Sequence, residues 1–106
     1  MILIQRERFT AALEQAILWY ADQREHGVAS ANALAERFAA SVDRTIARIE
    51  RHPDSGTVWP HRDGYRFRLI EKPFQRWLLF YRKPAMNTIE LVEIIRGERD
   101  LQQRVR

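Results

Sequence analysis

The sequence predicts an α+β fold, a helical hairpin packed on an antiparallel β-sheet, with elements in the order β-α-α-β-β-β. Three observations predict it. Apolar residues recur at steps of three and four through the first half of the chain, the spacing of a helix face. Near Gly64 the period changes to two, the spacing of a strand. The 106 residues, 45% hydrophobic, supply one core and leave no room for a second, so a single domain over 1–106 is expected.

Ile2-Leu3-Ile4 is a short apolar run ahead of charged residues and reads as an N-terminal strand. From Phe9 the helical stripe begins: Phe9, Leu13, Ala16, Ile17 and Tyr20, with Thr10 capping it or sitting in its first turn. This helix is expected to fade near His26-Gly27, where glycine favours a stop. Ser30 is the expected N-cap of a second, longer helix whose stripe runs through Leu34, Phe38, Val42, Thr45-Ile46 and Ile49. Its other side carries Glu36, Asp43, Arg44, Arg48 and Glu50, and Pro53 ends it ahead of Asp54-Ser55-Gly56.

After Gly64, Tyr65, Phe67 and Leu69 alternate with Arg66, Arg68 and Ile70 until Glu71-Lys72-Pro73 breaks the run. Trp77 to Tyr81 is apolar on both faces, as in a covered central strand. Lys83 to Asn87 reads as a turn, and Thr88 to Ile95 as a third meander strand closed by Gly97. A charged tail follows. The sheet face opposite the helices is expected to carry the polar side of each strand, Arg66 and Arg68 included. The expected core draws on Leu13, Ile17, Leu34, Phe38, Val42, Ile46, Ile49, Phe67, Leu79, Leu91 and Val92.

Charge narrows the function. Eighteen Lys and Arg against 14 Asp and Glu give +4. Residues 1–56 hold seven basic and eight acidic residues, net −1, whereas residues 57–106 hold eleven and six, net +5. The surplus belongs to the C-terminal half and fits a nucleic acid or an acidic protein. Zero cysteines exclude disulfides, thiolate catalysis and the common zinc sites. No apolar run reaches the roughly 20 residues of a membrane span, and charge enters too early for a signal peptide. A cytoplasmic protein without membrane contact is expected.

Little conventional catalysis is legible. There is no phosphate-binding glycine loop and no nucleophile elbow, and His26, His52 and His61 share no ligand spacing. No metal, cofactor or catalytic residue is therefore assigned. What remains is arginine and aromatic side chains, which hold phosphates and stack on bases, although rings at strand spacing serve the core first. Trp19 lies off the first helix's stripe, which marks it as a candidate partner surface.

Three strings carry a resemblance: Gly64 to Ile70, then Trp77 to Arg82, then Ile89 to Asp100. With the helical hairpin ending in His52-Pro53-Asp54-Ser55-Gly56 before them, they resemble the RelE/ParE toxin superfamily over nearly the whole chain. Each string is degenerate alone; it is their order, spacing and total length that carry the likeness.

The resemblance implies a type II toxin that causes growth arrest and is neutralised by a small, partly disordered cognate antitoxin with an acidic segment. RelE-like members cleave messenger RNA on the ribosome; ParE-like members inhibit DNA gyrase. The nucleases use basic residues on the first meander strand, an arginine in the middle strand, an arginine after the strand-end glycine and a tail tyrosine. Arg66 and Arg68 match the first requirement and Arg99 the third. The middle-strand position falls on Leu78, the tail position falls near Val105, and no tyrosine follows Tyr81. Arginine stays protonated and is a poor base, so the chain keeps phosphate-holding groups and lacks the proton-transfer group. Arg96 and Glu93 also depart from the histidine and arginine usual there.

The resemblance thus favours gyrase inhibition, with Arg66, Arg68, Arg76, Arg96 and Arg99 as the target- or nucleic-acid-binding surface. The opposing reading has these arginines pairing with Glu90, Glu93, Glu98 or Asp100. Ribosome-dependent cleavage of messenger RNA is the alternative and would need another proton-transfer group, such as His61 or Tyr65. A stand-alone nucleic-acid-binding module is the other.

Overall fold

The apolar stripes of two helices converge on one face of a five-stranded sheet. The computed structural model describes residues 1–23 and 27–97. In chain order the elements are β1 (Ile2–Gln5), α1 (Glu7–Ala21), α2 (Val28–Arg51), β2 (Thr57–Val58), β3 (Tyr65–Leu69), β4 (Trp77–Ala85) and β5 (Thr88–Arg96). The sheet order is β1-β5-β4-β3-β2, with β1 parallel to β5 and every other pair antiparallel. The α+β class expected from the sequence is the one observed, with β2 as an added strand. Two residues carry no alternation to read, so β2 was invisible to periodicity.

The helix boundaries differ from expectation for local reasons. Helix α1 starts at Glu7, not Phe9, because the Arg6 carbonyl already accepts the Thr10 N–H (3.0 Å) and Glu7 complements the positive helix end. It ends at Ala21, ahead of the expected glycine stop. Helix α2 begins at Val28, so Ser30 lies inside its first turn and is not its cap. Gly27, at φ 93°, takes the cap position, and its carbonyl accepts the Ala31 N–H. The expected turn at 83–87 shrinks to Met86-Asn87, with Asn87 at φ 62°. Pro84 is tolerated inside β4 because it falls where the register with β5 shifts, between Arg82 and Ala85, and the regular ladder is interrupted.

Strand β4 is buried on both faces, and the structure shows which side meets the helices. Trp77, Leu79 and Tyr81 join Phe9, Phe38, Val42, Ile46 and Ile49 in the main core. Leu13, Ile17 and Leu34, expected inside, pack against it half-buried. Leu78 and Phe80 point the other way and form a second cluster with Tyr65, Val92 and Ile95, against which Trp59 and Phe67 pack. Expected core residues Phe67 and Val92 therefore belong to this outer cluster. In β5, Phe80 pairs Glu93 while Tyr81 pairs Leu91, so Val92 is the extra residue of a bulge. The bulge lets Leu91 and Ile94 both reach the helix side.

Arg66 and Arg68 do not lie on the face opposite the helices, contrary to the sequence expectation. Alternation separates them from Tyr65 and Phe67, and it is the aromatic pair that takes the outer cluster. Arg66, Arg68 and Ile70 share the helix side. Helix α2 ends at Arg51, and the loop that follows it fills the space beneath these two arginines.

Buried polar groups on α2 tie it to the β3–β4 connection. The Thr45 hydroxyl donates to the Ser41 carbonyl (2.8 Å) and accepts the Glu71 N–H (3.0 Å). On the other side of the hairpin, the Trp77 indole N–H donates to the Tyr20 hydroxyl (2.9 Å) within a cluster that also holds Phe38 and Phe74. No helix among the described residues is long and apolar enough to cross a membrane.

Candidate functional site

Proline at 53 stops α2 and turns the chain across the end of the sheet, so the carbonyls of Pro53, Asp54 and Gly56 face β3 and β4. The Tyr81 phenol bolts this loop in place. Its oxygen accepts the Gly56 N–H (3.0 Å), and its hydroxyl donates to the Pro53 carbonyl (2.7 Å). Gly56 is required there, since a Cβ would overlap the phenol. Burial pushes the Tyr81 pKa up, against the lowering effects of the Gly56 hydrogen bond, Arg66 and Arg68. A phenol held neutral, and using both its donor and its acceptor on backbone, serves as a brace and not as a base.

Arg66 and Arg68, two residues apart on β3, grip the same loop. One Arg66 guanidinium nitrogen, Nη1, donates to the carbonyls of Asp54 (3.1 Å) and Gly56 (2.9 Å). Arg68 Nη1 donates to Ser55 Oγ, whose hydroxyl donates in turn to the His52 carbonyl (2.6 Å). Every one of these acceptors is uncharged. Among the described residues no carboxylate pairs with these guanidinium groups, and both arginines stay half-exposed.

The other predicted arginines gather elsewhere. Arg96, at the end of β5, lies over the Trp19 ring with its guanidinium carbon 4.4 Å from the centroid. Trp19 stays 40% exposed while its neighbour Tyr20 turns into the core, so the off-stripe position read from the sequence is the one it occupies. Arg76 is exposed beside this end, and its carbonyl accepts the Gly97 N–H. Four of the five arginines thus divide into a β3 pair, bound to a loop, and an Arg76–Arg96 pair at the end of β4 and β5. Arg99 lies outside the described residues, as do Glu98 and Asp100.

Two of the carboxylates offered as partners for these arginines lie among the described residues, and both reach arginines outside the set. Glu90 receives Arg82 (2.7 Å) and Arg6 (2.6 Å), and Glu93 lies 3.3 Å from Arg8. The Arg82 hydrogen bond, then Arg6, hold the Glu90 carboxyl below the usual range against the opposing effect of burial. Register explains the choice: Arg82 lies directly across from Glu90, and Ile4 beside it brings Arg6 within reach. Sequence reading missed this network, and missed Tyr81, Ser55 and Gly56 as the fastening beneath Arg66 and Arg68. A Pro-Asp-Ser-Gly turn opposite an arginine-bearing strand was the available signal.

His61 and Tyr65, the fallback proton-transfer groups, stand on the other face. His61 meets the Trp59 ring edge-on at 4.9 Å, and Tyr65 lies under the Arg62 guanidinium at 4.8 Å. Among the described residues, no three His, Asp or Glu side chains are gathered in a way that could hold a metal.

Among curated proteins none matches the chain by sequence. A solved structure described as the chromosomal ParDE TA system from P. aeruginosa shares the fold, with a TM-score of 0.72 and 16% identity over 92% of this chain and 97% of that one. The family model for the ParE toxin of the type II toxin–antitoxin system parDE matches residues 28–101, from the first residue of α2 past the end of β5. That stretch contains the loop, the bolt and both arginine pairs, and through it the chain belongs to the ParE toxin family.

Proposed function

We propose that this chain arrests growth by inhibiting DNA gyrase through protein contact, and that a cognate antitoxin carrying an acidic segment neutralises it. Arg66 and Arg68 form the centre of the target-facing surface, with Arg76, Arg96 and Arg99 extending it and Trp19 meeting the partner. The observation that carries this reading is the uncharged set of acceptors around Arg66 and Arg68. Two fixed cations that no described carboxylate pairs suit an acidic protein surface. Tyr81, the phenol that fastens the same loop, is closed by its own hydrogen bonds. Messenger-RNA cleavage through the ribose hydroxyl would need a group free to move a proton.

The test is a parallel assay of the purified chain on gyrase supercoiling and on ribosome-bound message. Loss of supercoiling with intact message supports gyrase. Codon-specific cleavage with normal supercoiling overturns it in favour of the nuclease. Growth arrest on expression, relieved by co-expressing the neighbouring small reading frame, tests the antitoxin. Indifference of growth to both would point to a nucleic-acid-binding module instead.

A further inference from the structure

The two edges of the sheet are finished differently. At one, β2 is only two residues long, a short edge that offers little to a stray strand. At the other, β1 pairs with β5 on one side and, among the described residues, with no strand on the other. Exposed edges are ordinarily protected by charge, proline or a bulge. Ile2-Leu3-Ile4-Gln5 has none of these. Ile2 is 61% exposed and Ile4 41%, next to Met1 and Met86, also exposed.

The backbone of this edge faces outward in a defined register. The Ile2 N–H donates to the Asn87 carbonyl and the Arg6 N–H to that of Leu91, so the even-numbered residues bond inward to β5. Leu3 and Gln5 therefore turn their N–H and C=O groups to the open side. We propose that β1 is the pairing edge of a homodimer, two copies meeting antiparallel about a twofold axis through Leu3. In that register Leu3 exchanges two hydrogen bonds with the partner's Leu3, and Gln5 donates to the partner's Met1 at each end. Leu3 packs on the helix side, so Ile2 and Ile4 share the outer face. Each exposed Ile2 then lies across from the partner's Ile4, in the closely spaced class of pair.

A second copy fits this edge better than an acidic segment does. The strand carries no charged side chain, and the basic side chain that adjoins it, Arg6, is already bound to Glu90. An acidic chain gains nothing there, whereas the twofold register covers both isoleucines of both copies. Four-residue strands bury much less than the roughly 800 Å² per partner of a standard interface, so the dimer is weak and concentration-dependent. The inference does not rest on gyrase as the target.

Sedimentation of the purified chain across a concentration series tests it. The wild type is expected to pass from monomer to dimer. Ile4→Lys, confirmed as folded by its melt, is expected to weaken association by about tenfold or more. Adding Ile2→Glu to Ile4→Lys sets opposite charges across the axis and is expected to restore the dimer; this recovery reads the register itself. A wild type that stays monomeric throughout, or a dimer equally strong in folded Ile4→Lys, would overturn the proposal.

Discussion

Two sets of arginines stand on this sheet, and they are held by opposite means. Arg6, Arg8 and Arg82 on the β1–β5–β4 side, and Arg48 on α2, reach carboxylates. Arg66 and Arg68 on the β3 side reach carbonyls and a hydroxyl. A carboxylate positions a guanidinium and cancels its charge; a carbonyl positions it and leaves the charge in place. The first arrangement serves the fold. The second leaves a positive charge at the half-exposed surface, and composition alone cannot tell the two apart.

Ways to break this contrast are ranked by what they take from the fold. Tyr81→Phe comes first. It leaves the Gly56 N–H and the Pro53 carbonyl without their partner and is expected to cost about 2 kcal/mol in chemical denaturation. Growth arrest falls with it, because the loop that seats Arg66 and Arg68 loosens.

Glu90→Gln comes next, and pH sharpens it. The Glu90 carboxyl titrates lower in the folded chain than its ordinary value of 4.5, so its contribution is complete above that value and is lost as pH falls through the folded one. At pH 7 the variant melts below the wild type. The gap closes in melts taken progressively below pH 4.5, while growth arrest at neutral pH is retained.

The double variant Arg66→Gln with Arg68→Gln is expected to cost about 1 kcal/mol, the worth of a few neutral-acceptor hydrogen bonds partly remade by the amides. Growth arrest is lost outright. That split, a small change in melt and a full change in toxicity, separates the second arginine set from the first. Last, Arg48→Ala removes an exposed pair with Glu71 and is expected to change stability by about 0.5 kcal/mol or less, with toxicity unchanged.

Much of this fold could be read from residue spacing. The stripe from Leu34 to Ile49 and the double-apolar run from Trp77 to Tyr81 each had one reasonable interpretation. The face of β3 did not. Alternation says that Tyr65 and Phe67 oppose Arg66 and Arg68, but which pair meets the helix side depends on where α2 stops and what the next loop fills. The arginines themselves were legible as a candidate surface. Their acceptors were not, because the Tyr81–Pro53 contact joins residues 28 apart in sequence and leaves no local pattern. A greater separation hid the choice of Glu90 for Arg6, whereas Arg82 and Glu90 lie only 8 residues apart across one hairpin.

The parallel pairing of β1 with β5 joins the first strand of the chain to the last one described. During synthesis β1 emerges at once and then has no neighbour until Thr88–Arg96 follows it out of the ribosome. The helical hairpin can form earlier from local contacts, but its apolar stripes wait for the same late strand, since Ile89, Leu91 and Ile94 complete the core beneath them. An incomplete chain therefore lacks the assembled sheet that seats the arginines.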